Sequence, residues 1–191
     1  MAEHAYAIVN STFADFLAGD LLVKPADQAW EKADYYALRR AVFSREQQLF
    51  SQDKDDRDFG AIAIVAIAHH CGMPDQVIGA VRIYQPAPLA EPGLWYGGRL
   101  CVAQAYRRHA MIGTALVNEA VSRAIDLGCQ RFLATVQAAN EGYFQRLHWH
   151  SLDSLDLLGQ PHVLMQAQLP AYPLQPRQVA LPARQDGRHA S

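Results

Sequence analysis

Hydrophobic and polar positions along the chain alternate between two periods. Ala61 to Ala68 (AIAIVAIA) is an uninterrupted apolar run of strand length, as expected of a strand buried on both faces. HCGMPD, His70 to Asp75, carries the glycine and proline of a hairpin turn, and Val77 to Tyr84 (VIGAVRIY) is its partner strand. After the proline-rich loop from Gln85 to Gly93, Leu94 to Val102 (LWYGGRLCV) predicts a third strand, with a bulge marked by Gly97-Gly98. Met111 to Leu127 has helical spacing. Ile112, Ala115, Leu116, Ala120, Ala124 and Leu127 form one face, Thr114, Asn118, Ser122 and Asp126 the opposite stripe, and Gly128 stands at the C′ position.

Weaker patterns flank these. Leu21 to Lys24 predicts a short strand closed by Pro25. Asp27 would cap a helix whose apolar side runs through Ala29, Trp30, Ala33, Tyr36, Ala37, Arg40 and Val42. Arg131 to Val136 predicts a strand, Asn140 to Leu147 a short capped helix, and His162 to Gln168 a last strand. The order argues a mixed α/β (α+β) fold, with helices packed on a mostly antiparallel central sheet. One domain is expected over 1–169, and the Pro-, Gln- and Arg-rich segment 170–191 reads as a disordered tail.

Composition narrows the function. The 191 residues suit one domain, and half of them are hydrophobic, enough for a sizeable core. A net charge of −2 gives no basic field for nucleic acid. The longest apolar run falls far short of the roughly 20 residues that span a bilayer, and no basic segment precedes an apolar one at the start. Cys71, Cys101 and Cys129 are odd in number and widely spaced, which fits a reduced, cytoplasmic protein.

The segment from Arg99 to Leu127 is the most informative. A strand ends at Val102, Tyr106-Arg107-Arg108-His109 connects, and a long helix starts with Gly113 in its first turn. A helix N-terminus offers unpaired amides and a positive dipole end to a phosphate, a small residue permits close approach, and Arg107 or Arg108 adds full charge. Read alone, the same residues also describe a solvated basic loop before a core helix.

YRRHAMIGTAL, Tyr106 to Leu116, resembles motif A of the GNAT acetyltransferases, Gln/Arg-x-x-Gly-x-Gly/Ala, with Arg108 first and Gly113 last; Met111 replaces the middle glycine. GGRLCV is similar to that family's fourth strand, whose splayed backbone pairs with the pantetheine arm. NEGYFQRLHW, Asn140 to Trp149, resembles its motif B, and Tyr35 to Phe50 its first helical region. The resemblance implies acetyl-CoA as cosubstrate and no metal. Cofactor contacts would come from Leu100, Cys101 and Val102, from Arg107, Arg108, His109, Ala110, Met111, Ile112, Gly113 and Thr114, and from Asn140 and Phe144. It implies transfer of an acetyl group to the primary amine of a small molecule, with no nucleic-acid or membrane partner; GNAT proteins often dimerise. A CoA-binding regulatory module and a protein or peptide N-acetyltransferase are the alternatives. REQQLF, GGRLCV, FQRLHW and PHVLMQAQL are further similar to a bacterial subgroup associated with nitrogen starvation and nitrilase-type gene clusters.

Direct attack by an amine needs a base first. An alkylamine ionises near 10.4, so deprotonation at pH 7 costs roughly 4 to 5 kcal/mol, whereas a thiolate leaving group near 8.5 is off by about 1.5 units. Glu46, just after the first helix, is the first candidate base, against a solvated surface glutamate. The family's acid tyrosine falls on Phe144, which has no proton to give, so the thiolate would be helped by Tyr143, His148 or water. His148, at the motif glycine, either titrates or fills the core. Tyr96 and Arg99 face either the cleft or the helices. His69-His70-Cys71 lacks a second ligand pair for zinc. Asp53, Asp55, Asp56 and Asp58 lack the glycine and glutamate of a calcium loop and read as a solvated acidic rim able to attract a cation. Cys101 and Trp149 read as packing, and His162 has no assigned role.

Overall fold

In the computed structural model, which describes residues 20–48, 53–70, 73–86 and 91–173, the long apolar run becomes β2, Ile62–His70, with Ile64 to Ala68 fully buried. It pairs antiparallel with β1, Asp20–Pro25, and with β3, Met73–Tyr84. β4, Leu94–Val102, is antiparallel to β3 and parallel to β5, Arg131–Gln137. Beyond β5 lie β7, Gln160–Ala167, and β6, Trp149–Leu157, giving the order β1-β2-β3-β4-β5-β7-β6. β6 is absent from the sequence prediction. After Trp149 all its residues are exposed, and leucines at 152, 155 and 157 follow neither a clean alternation nor a helical repeat.

Helix α2, Ala110–Asp126, makes the crossover between the parallel strands. Its Ile112, Leu116, Val117, Val121 and Ala124 pack with Ile64, Ala66, Ile78, Val81 and Ile83 on one face of the sheet. Each such Ile, Leu or Val contributes roughly 1.5–3 kcal/mol by burial. Leu127, assigned to that face, is instead half-exposed past the helix end, where Gly128 takes φ 87° as the C′ residue. The short α3, Glu141–Arg146, closes the same side.

Helix α1, Ala29–Arg39, covers the opposite face and runs on into a π-helical segment, Arg40–Glu46. Here the predicted face holds at Val42 and in part at Tyr36, and fails elsewhere. Trp30, Ala33 and Ala37 point outward, while Glu31, Tyr35, Arg39, Val42 and Phe43 are buried. The inward charges are satisfied: Glu31 accepts the amides of Asp27 and Gln28 at 2.9 and 3.1 Å and pairs with Lys24. The cap is Gln28, one residue later than predicted.

Packing continues past the predicted boundary at 169. Leu169–Ala171 forms a 3-10 turn, and Tyr172 is buried, its hydroxyl accepting from Trp149 Nε1 at 2.9 Å and donating to the Leu147 carbonyl. The remainder of the predicted tail, 174–191, lies outside the described residues, as do Cys71 and the side chain of His70.

Candidate active site

The β4–β5 ladder is short. Leu94 to Gly97 pair with Arg131 to Ala134, and there the parallel pairing ends. At that point β4 bulges: its register with β3 shifts between Arg82↔Gly98 and Ala80↔Cys101, and Arg99 has φ 57°. The bulge predicted from Gly97-Gly98 is therefore real. β4 swings away from β5, and a cavity of about 170 Å³ opens in the gap.

Both faces of the sheet contribute to this cavity. Val117, Val121, Phe132 and Phe144 belong to the α2 side, while Phe43, Gln47 and Arg99 come from the α1 side. Along β5, Phe132, Ala134 and Val136 join the α2-side core, so Thr135 and Gln137 point to the α1 side. Gln137 confirms it by donating from Nε2 to Gln47 Oε1 at 3.2 Å. His162 is opposite Gln137 in the antiparallel β5–β7 pair and so shares that face. It is buried, lines the cavity, and its Nδ1 lies 2.8 Å from the Gln160 carbonyl. Among the described lining residues, Arg99 and His162 alone carry ionisable side chains.

Arg99 is anchored by a cluster that the sequence reading placed in solvent. Asp53 and Asp58 are buried and Asp55 is half-buried. Arg39 donates to Asp53 Oδ2 at 2.5 Å, to Asp58 Oδ1 at 2.6 Å and to the Tyr35 hydroxyl at 2.7 Å. Arg82 holds Asp55 through two bonds of 2.6 and 2.7 Å and lies 2.9 Å from Asp58. Arg99 Nε lies 2.7 Å from Asp53 Oδ1. Burial raises the Asp58 carboxyl, but bonds from Arg39, the Asp55 amide and Arg82 outweigh it and leave the group at about 2. These three carboxylates are matched by three guanidiniums, and of the four aspartates Asp56 is the one left exposed as the sequence suggested. The residue pattern alone could not reveal this, because the partners lie on α1, β3 and β4.

The predicted site residues fall into three places. Leu100, Asn140 and Phe144 line the cavity. Cys101 points to the α1-side core, and burial pushes its thiol up to about 12, which leaves it packed and unreactive. Val102 ends the strand, its carbonyl accepting from Arg107 Nε at 2.9 Å. Arg107 also pairs with Glu46 Oε2 at 2.5 Å, so this carboxylate binds the end of the first helical region to the turn before α2. Glu46 is not among the lining residues; its neighbour Gln47 is.

Residues 107–109 form that turn. Arg108 and Met111 are exposed, His109 is the N-cap of α2 with no side-chain cap bond, and Ala110 begins the helix. Ile112 is fully buried in the core. Gly113 gives close approach to a protein group: a Cβ there would lie 2.7 Å from the Tyr143 hydroxyl, which is also 3.3 Å from Thr114 Oγ1. Burial raises the Tyr143 hydroxyl, with the Thr114 contact opposing. His148 is neither core nor cavity wall. It is exposed in the turn after α3, at φ 61°. Tyr96 stacks on Tyr84 with centroids 5.7 Å apart, away from the lining. Trp149 is core, as its sequence position suggested. His162 went unassigned because only the register of β7 against β5 aims it into the gap.

Among the described residues, no three His, Cys, Asp or Glu side chains are grouped as metal ligands would be, and no helix is long and apolar enough to cross a membrane. No curated protein matches the sequence. Solved structures do. A protein of Lactobacillus plantarum assigned as an N-acetyltransferase aligns with TM-score 0.68 and 24% identity, over 78% of this chain and 98% of that one. An acyl-CoA N-acyltransferase from Pseudomonas aeruginosa aligns at 0.62 and 24%, over 78% and 99%. An aminoglycoside 6′-N-acetyltransferase complexed with coenzyme A aligns at 0.61 and 13%, over 78% and 97%. At these identities the likeness is one of fold, and nothing in them supports the nitrogen-starvation subgroup. The model of the acetyltransferase (GNAT) family matches residues 22–149, across the splayed strands, α2 and α3, and the chain belongs to that family.

Proposed function

We propose that the protein transfers an acetyl group from acetyl-CoA to the primary amine of a small molecule, by direct attack of the amine on the thioester. The observation that carries this reading is the gap between β4 and β5, which joins a cavity to an unpaired strand edge beside the start of α2. Backbone amides on the edge of β4 from Leu100 to Val102 are no longer bonded to β5, so they suit both an amide-bearing arm and the oxygen that gains charge during attack. The turn from Arg108 to Thr114 would take the pyrophosphate through backbone amides and the exposed Arg108. Acetyl-CoA supplies the activated acyl group; the chain orients it and manages protons.

Among the described residues no tyrosine lines the cavity, and Phe144 stands where the family motif has one. Departure of the thiolate therefore relies on solvent protonation, or on Tyr143 or His148 if bound substrate brings either nearer. Glu46 remains a base candidate only if it leaves Arg107. The observation favouring a small acceptor is the cavity's modest volume and its walls on both sheet faces. Calorimetry with coenzyme A and thiol release from acetyl-CoA across an amine panel test the reading. Amine-dependent release supports it. Binding without release would favour a regulatory module, and no binding heat would remove the assignment. Release with a peptide amine alone would turn the reading toward protein acylation.

A further inference from the structure

We infer that His162 is the group that takes the proton from the attacking amine, an assignment that rests on the acyltransfer reading above. The ring is placed by backbone. β7 carries it to the face where β4 and β5 part, opposite Gln137 and Leu155. With Nδ1 2.8 Å from the Gln160 carbonyl, the neutral ring keeps its proton there, and Nε2 carries the free lone pair. Fixing one nitrogen by a carbonyl sets both tautomer and direction, as a proton acceptor requires. The Gln47–Gln137 bond beside it ties the end of the first helical region to the same wall.

Other groups near it are unsuited. Arg99, the remaining ionisable lining residue, is cationic and turned to Asp53 and Asp55. Phe43 of the π-helical segment and Gln47 just after it share the cavity wall with the ring, Leu155 pairs with it from β6, and none of these titrates. Asp153, opposite Leu164 on the same face of β6, is exposed and bonded to the Ser154 amide. In the step itself, Nε2 takes a proton from the ammonium form of the acceptor and passes it to water, and the freed amine nitrogen forms a bond to the thioester carbon. The carbon–sulfur bond breaks with its electron pair going to sulfur, and Nε2 holds the proton lost from nitrogen. Sulfur then takes a proton from water or from the imidazolium, and the ring returns to neutral.

The test is His162→Gln, measured for kcat/KM with acetyl-CoA and an accepted amine from pH 6 to 10, with CoA affinity and thermal midpoint alongside. We expect unchanged CoA affinity and a fall in kcat/KM of about 10²–10⁴-fold near neutral pH, the usual worth of a general base. The loss should shrink at high pH, where the amine is already free, and the acid limb due to the ring should vanish. A merely structural histidine would lower the thermal midpoint and leave the limb in place. If His162→Gln does not fold, imidazole added to His162→Ala should restore turnover, and lack of rescue overturns the assignment. So does kcat/KM within threefold of wild type with the same limb. A wild-type protein that transfers to no amine defeats the acyltransfer reading first.

Discussion

Replacing Arg39 with methionine should destabilise the protein by about 3–5 kcal/mol, the usual cost of removing one partner from a buried charge pair. The side chain is fully buried, and its guanidinium serves Asp53, Asp58, the Asp53 carbonyl and the Tyr35 hydroxyl at 2.5–3.0 Å. Methionine keeps much of the apolar stem, so the loss reports the charge. It strands two buried carboxylates that Arg82 and Arg99 must then share. Urea unfolding followed by tryptophan fluorescence measures it; with an m-value of about 2 kcal/mol/M, the midpoint should fall by about 2 M. A pH series adds a second readout. The Asp58 carboxyl sits at about 2 in the folded state against an ordinary 3.8. Its folded value is depressed, so its contribution of about 2 kcal/mol is present above pH 4 and is lost as pH falls through 2. In Arg39→Met that acid limb should be shallower and begin at higher pH. A midpoint shift below about 0.5 M with an unchanged limb would refute the view that this cluster holds the fold together.

Three further outcomes are expected. His148→Gly should stabilise the fold by about 1 kcal/mol, because φ 61° costs a residue with a Cβ about that much and glycine nothing, and the rise in thermal midpoint measures it; a fall would mean that the imidazole makes contacts that outweigh the strain. Gly113→Ala and Tyr143→Phe should be non-additive, since the added Cβ meets the tyrosine hydroxyl at 2.7 Å: the alanine should be at least about 1 kcal/mol better tolerated beside phenylalanine, and additive unfolding energies would deny the contact. The Cys101 thiol, pushed up to about 12 by burial, should resist alkylation in the folded protein at pH 8 and react on unfolding, as peptide mapping would show; stoichiometric labelling of the native state would contradict its packing.

Strong periodicity was legible and weak periodicity was not. β4 matched its predicted span, Leu94 to Val102, and α2, which buries a continuous face against the sheet, lay within one residue of its prediction. α1 was found, but most of its predicted inward face was wrong. A rule that sends charge outward cannot anticipate Glu31 and Arg39 inside, and their partners, Lys24, Asp53 and Asp58, are not at helical spacing. The acidic loop failed for the same reason: Asp53 and Asp58 are ordinary solvent residues until two strands and a helix bring arginines to them. The turn proposed for the pyrophosphate is a local pattern that can be read along the chain, whereas the position of His162 depends on pairing with β5 across a helix and a strand.

The cluster also accounts for the shape of the cavity. Opening β4 from β5 forgoes ladder bonds and sets Arg99 at a positive φ, which costs about 1–2 kcal/mol for a non-glycine residue. The same turn of backbone places the Arg99 guanidinium against Asp53 and Asp55 and over the Phe43 ring. Arg82, paired with Gly98 where the register shifts, reaches Asp55 and Asp58 from β3. The bulge is therefore fixed on both sides by one loop, residues 53–58, whose carboxylates are also bound to α1 through Arg39. The charges buried beneath the sheet thus hold β4 at the place where the sheet is open.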